Sequence, residues 1–199
     1  MRAGDLVYVY SQCGSSSPRT LTITVTGGQT WNTSELRNGD TLGLPFIWIS
    51  WCTFNGTWSA NPAFVISGTA VSKLRSMHVF RAPKAGAVWA IDQGPHQTVE
   101  PDVEIHVLPS ITNTKKCVSI FGGAIPGVRT GTSGAGWLQL GAAQYAHEGP
   151  NPQYTKLAYQ VMGYGWPVGI PVGATGNCTI TCETTSFAFL TRISFYITN

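Results

Sequence analysis

The chain has 199 residues, of which 11% are charged, 43% hydrophobic and 11% aromatic, with a formal net charge of +3. Ordinary soluble domains carry roughly 25% charged residues, so either partners cover much of this surface or Ser, Thr, Asn and Gly solvate it. A charge of +3 is too small for a protein that holds nucleic acid chiefly by neutralising phosphates.

The length fits one domain over residues 1–199, since β-sandwiches of this size often stay undivided. "MRAGDLVYVY" places Asp5 where the apolar stretch of a signal peptide would begin, so none is expected. Nor is a membrane span, because no apolar run approaches the 18 residues that a span requires.

In chain order, Leu6–Tyr10 predicts a short apolar strand. "RTLTITVTGG" alternates, with Leu21, Ile23 and Val25 on one face and threonines on the other. "RNGD" (Arg37–Asp40) carries an Asn-Gly turn signal. "FIWISWCTF" (Phe46–Phe54) is apolar on both parities and predicts a central strand covered on both sides. Further strands are predicted at Ala63–Ser67, Met77–Arg81, Ala87–Ile91, Val103–Leu108, Lys116–Phe121, Trp137–Ala142 and Leu157–Gly163. Only Ala142–His147 suggests a helix, of a turn or two. "GGAIPGVRTGTSGAG" (Gly122–Gly136) and "YGWPVGIPVGATG" (Tyr164–Gly176) read as long Gly-rich loops.

The C-terminus breaks the habit of chain ends, which usually fray. Phe187, Phe189, Ile193, Phe195 and Ile197 share a parity interrupted only by Thr191, while Cys178, Ile180 and Cys182 fall on the opposite parity. A turn or bulge near Glu183–Ser186 must change the register, giving two strands or one long bent strand. Short strands punctuated by 23 Gly and 12 Pro predict an all-β fold, an antiparallel β-sandwich of jelly-roll type with long Gly/Pro-rich loops. The five cysteines, Cys13, Cys52, Cys117, Cys178 and Cys182, form no CxxC and are expected to be buried and reduced.

No HExxH, GxSxG, P-loop or zinc-ligand spacing occurs. No cofactor is therefore expected, and an enzyme ranks behind a structural or binding protein. "DQGPHQ" (Asp92–Gln97) puts an acid and an imidazole on one loop, without an evident nucleophile. Three groups remain as candidates. Lys73, Arg75, Arg81 and Lys84 gather in twelve positions and could contact RNA or another acidic partner; the plainer reading is surface charge or ion pairs between subunits. Asp102, Glu104 and His106 share a strand face, spaced ~7 Å apart, and could hold a cation or act as a pH switch; otherwise they are a solvated face opposite Val103, Ile105 and Val107. Trp31, Trp58, Trp137 and Trp166 lie near loop residues and could stack on a glycan, or simply pack.

Two stretches carry a resemblance. "AGAVWAIDQGPHQTVEPDVEIHVLPSITNTKKCVSIFGGAI" (Ala85–Ile125) has a short apolar strand, a Pro-containing loop and a strand end with Gly-Gly. "KLAYQVMGYGWPVGIPVGATGNCTITCETTSFAFL" (Lys156–Leu190) has an apolar strand, a Pro/Gly loop and a Cys-bearing final strand. Over about half the chain this order resembles coat proteins of small icosahedral positive-strand RNA viruses, especially the tymovirus type. The resemblance implies a jelly-roll subunit without a long basic arm. Many copies would assemble in a host cytoplasm into a virion shell enclosing RNA, itself only weakly bound. The alternative is a receptor- or glycan-binding head domain of a viral fibre, a spike or a lectin.

Overall fold

The computed structural model describes residues 1–14, 18–24, 27–36, 45–68, 73–126, 131–133, 138–139, 144–146, 153–161 and 172–199. These residues form strands and no helix. The strands are β1 (Leu6–Gly14), β2 (Leu21–Thr24), β3 (Asn32–Leu36), β4 (Pro45–Thr53), β5 (Ala63–Ile66), β6 (Lys73–Phe80) and β7 (Trp89–Leu108). They continue with β8 (Cys117–Pro126), β9 (Gly131–Ser133), β10 (Leu138–Gln139), β11 (Gln144–Ala146), β12 (Gln153–Val161) and β13 (Cys178–Ile197).

A four-stranded sheet, β3-β4-β1-β6, faces a larger one ordered β10-β12-β8-β13-β7, with β9 beside β13 and β11 beside β12. The pairings are antiparallel throughout, and β2 and β5 form a separate two-stranded layer. The protein is thus an all-β antiparallel sandwich, as its patterning predicts. β13 returns beside β7, as the fourth strand of a Greek key would, but it inserts between β7 and β8. That order does not confirm jelly-roll winding.

The main core lies between the two large sheets. Leu6, Tyr8 and Tyr10 of β1, with Ile47 and Ile49 of β4, meet Val118 and Ile120 of β8 and Phe189, Ile193, Phe195 and Ile197 of β13. Tyr8 meets Phe195 edge-on, their ring centroids 6.4 Å apart. The opposite parity of β1 and β4 is equally apolar because the β2–β5 layer covers it. Val7, Val9, Cys52 and Phe54 pack there against Phe64 and the half-buried Leu21 and Ile23. Every residue of β1 is buried in consequence, and the central strand predicted at Phe46–Phe54 is found in β4.

β13 is one long strand whose register shifts between Thr181 and Ser186. Odd positions after the shift, Phe189, Ile193, Phe195 and Ile197, face the main core, while even positions on both sides of it face a second one. Cys178, Ile180 and Cys182 join Leu108, Phe121, Ala188 and Leu190 in a second cluster, apart from the main core. Arg192 is buried on that same parity, where Nη1 donates to Thr175 Oγ1 at 3.1 Å and Nη2 to the Pro109 carbonyl. Both faces of the terminal strand are therefore covered.

Three local expectations change. Gln144–Ala146 pairs with β12 as a strand, so the helix expected over Ala142–His147 does not form there. "DQGPHQ" lies inside β7 and is not a loop. A bulge absorbs the interruption: the β13 register shifts between Arg192 and Ser194, and Gly94 takes φ +93°. A Cβ at Gly94 would stand 2.7 Å from the Arg192 carbonyl oxygen, so only glycine fits. Gly122–Pro126 belongs to β8 and Gly131–Ser133 is β9, so the first Gly-rich segment is largely strand where it is described. "RNGD" and residues 164–171 of the second lie outside the described residues.

Candidate assembly surface

β6 is an edge strand of the smaller sheet. Its burial alternates: Leu74, Ser76 and Phe80 are buried, while Arg75, Met77 and Val79 are exposed. The outward row stands beside the β2–β5 layer, which stops short of covering it. A pocket of about 260 Å³ remains, lined by Val9, Asn61, Pro62, Phe64, Arg75, Ser76 and Met77. Its floor is apolar, and Met77 lies opposite Val9 in the β1–β6 register.

The four basic candidates do not form one patch. Lys73 and Arg75 start β6, whereas Arg81 and Lys84 follow its far end, roughly 25 Å away at ~3.3 Å per residue. Lys73 Nζ donates to the Ile66 carbonyl at 2.9 Å and the Gly68 carbonyl at 2.7 Å. Arg75 donates to the Phe64 carbonyl. Both cations thus tie the β2–β5 layer to β6 through neutral acceptors. Arg81 instead pairs with the fully buried Asp5 at 3.2 Å. Asp5 also accepts from the Arg2 and Ala82 backbone N–H groups, at 2.9 and 3.1 Å. Lys84 is exposed.

β7 is the edge of the larger sheet and runs for 20 residues. Asp102 and Glu104 are exposed on it, but His106 on the same parity is buried. The polarity of the segment is inverted: His106 pairs in register with Ile180 of the second core, while Ile105 is 56% exposed. Burial lowers the His106 pKa, and the Asp102 charge only partly offsets this, so acid does not readily charge it. Among the described residues no group of three or more His, Cys, Asp and Glu is placed to hold a metal ion.

Trp31 and Trp58 come together with centroids 5.9 Å apart, but their faces are spent on packing. Phe64 meets Trp31 edge-on at 5.0 Å, and Phe54 meets Trp58 likewise at 5.0 Å. The Trp58 indole N–H also donates to Gln29 Oε1 at 3.2 Å. The pair forms a small aromatic core under the β2–β5 layer. Trp137 and Trp166 lie outside the described residues.

One contact went unforeseen. Ser76 Oγ and His78 Nε2 are hydrogen-bonded two positions apart on the inner parity of β6. Burial lowers His78 to about 4, which makes it a weak base at neutral pH. The signal available in the sequence was the Ser-x-His spacing on a strand, which puts both on one face. All five cysteines are buried. Burial raises Cys52, Cys117 and Cys178 to about 12 and Cys13 to about 11, so these four stay thiols and react poorly.

Among the described residues no helix is long and apolar enough to cross a membrane. Comparison of the chain with protein-family models, curated proteins and solved structures finds no match.

Proposed function

We propose that this chain is a structural subunit that associates with many copies of itself, a coat protein whose sandwich builds a closed shell around RNA. The observation that carries this reading is the edge of β7. Among the described residues β13 is its only neighbour, so its other side presents unpaired backbone N–H and C=O groups over much of 20 residues. Val99 and Ile105 stand 40% and 56% exposed along it. Long exposed edges invite pairing with another chain, and monomeric proteins blunt them. Pro95 and Pro101 interrupt the edge without closing it.

A charged fraction of 11% supports the reading, because a surface covered by neighbours needs few charges. RNA would be enclosed more than gripped, since Lys73, Arg75 and Arg81 are engaged within the fold. Assembly in a host cytoplasm, with the subunit ending in the virion, completes the proposal; the four weakly acidic thiols suit a reducing compartment. Negative-stain microscopy of the purified protein tests it. Closed particles are the expected result; monomers or trimers alone would favour a receptor-binding head.

A further inference from the structure

We infer that the groove between the β2–β5 layer and β6 holds one nucleotide of a single-stranded RNA, its base in the pocket beside Met77 and its neighbouring phosphates along Arg75, Lys73 and Arg19. The choice of RNA as the strand rests on the coat reading, and the site deepens that reading by giving the enclosed RNA a point of contact on each subunit. Three cations converge along this groove. Arg75 donates to the Phe64 carbonyl. Lys73 donates to the Ile66 and Gly68 carbonyls at 2.9 and 2.7 Å, and the Arg19 guanidinium lies against Gly68. Phe64 to Gly68 spans at most ~13 Å of extended chain, so the three charges form one short row. Among the described residues neither Lys73 nor Arg75 pairs with an acid. Their head groups rest on neutral oxygens and keep further N–H donors for a phosphate.

Arg75 ends the row and also lines the pocket, together with Asn61, Pro62, Phe64 and Met77. Its volume of about 260 Å³ is just below the ~300–1,000 Å³ that encloses a drug-sized ligand. It takes a planar base and leaves the sugar and phosphates outside, beside the cations. Pro62, Phe64 and Met77 give the base an apolar wall, and Met77, itself 50% exposed, gains cover from it. The Asn61 amide offers both a donor and an acceptor to a base edge. Proteins hold unpaired nucleotides by this division of labour, packing the base on side chains while a basic groove follows the phosphates. A sulfated sugar chain would use the cations and leave the pocket empty, so the pocket favours a polyanion that carries bases.

One such contact per subunit is weak alone, and it leaves the rest of the strand enclosed without being gripped. Packing the base is worth about five- to a hundredfold in affinity. Three phosphate contacts set a log–log salt slope of about −2, each contributing about −0.7 on a single strand.

Fluorescence anisotropy of a labelled short oligoadenylate, titrated with the purified full chain, tests the site, and light scattering of the same samples reports assembly. The oligoadenylate should bind with a salt slope of about −2, and an excess of adenosine monophosphate should compete for it. A strand of the same length without bases should bind about five- to a hundredfold more weakly. Met77→Glu should abolish that preference for bases, and Arg75→Gln should cut the salt slope by about 0.7. Thermal melts check that both variants remain folded; the strand without bases tests the unmodified chain, so the inference can be refuted even if a variant does not fold. Equal affinity for that strand, or an unchanged base preference in folded Met77→Glu, overturns the inference. So does displacement by a heparin oligosaccharide but not by adenosine monophosphate, which would mark a general polyanion surface. Particles that form without binding the oligoadenylate overturn it and leave the coat reading standing. Binding with base preference by a chain that never forms particles supports the site and removes the coat reading.

Discussion

Ile180 occupies the space that a side chain at Gly123 would need: a Cβ there would stand 2.2 Å from Ile180 Cδ1. The far half of β13 packs onto β8 through this gap, sealing the second core over Phe121 and Leu190. Gly123→Ala should destabilise the fold by about 1–3 kcal/mol by overpacking. In an Ile180→Ala background the same change should cost much less. Urea melts of the four proteins in that cycle measure the coupling, and additive costs would deny the contact.

The C-terminal strand should be indispensable. Phe189 and Phe195 are buried at 1% and 0% exposure in the main core. Phe189→Ala or Phe195→Ala should each cost about 3–5 kcal/mol. Deleting the last ten residues should leave no cooperative melt in calorimetry. A truncated chain that melts sharply would contradict the terminal strand's place in the core.

Much of this was legible in the sequence, for a specific reason. β1 and β4 lack alternation because both faces are covered, and their continuous apolar runs say so. Leu21 and Ile23 alternate with threonine because β2 has one wet face. A register shift is found before Ser186, where the sequence called for a turn or bulge, but Ile180 and Phe189 belong to different cores, so the apolar residues on opposite parities mark two covered faces. Illegible features depend on distant partners. Gly-Pro within "DQGPHQ" reads as a loop unless the Arg192 carbonyl beside Gly94 is known. Gly123 reads as part of a loop unless Ile180 is known to lie over it. The burial of His106 and exposure of Ile105 arise from the pairing of β7 with β13, invisible to local pattern. The basic residues from Lys73 to Lys84 are close in sequence yet spread along a strand.

Tyr10 carries a hydroxyl into the main core, at 0% exposure, where it has no hydrogen-bond partner among the described residues. Tyr10→Phe should leave stability unchanged or raise it by up to about 1 kcal/mol. A fall of similar size in urea melts would show that the hydroxyl is hydrogen-bonded.

Stability should decline with acid through the histidines. Burial lowers His78 from 6.5 to about 4 and lowers His106 in the same direction. A lowered histidine pKa means that the unfolded chain binds the proton more tightly. The stabilisation is therefore complete above about pH 6.5 and is lost progressively as pH falls toward about 4, the folded-state value of His78. His78 should account for about 2 kcal/mol of the loss. His78→Gln should flatten that part of the profile in melts taken at successive pH values; an unchanged slope would show that His78 is not buried as described. The same sign means that protonating His106 opposes the fold.

Sedimentation velocity of the unmodified chain over a hundredfold range of concentration measures self-association directly. The account predicts large discrete particles that grow at the expense of a 21.3 kDa species as concentration rises. A single 21.3 kDa species at every concentration would contradict it.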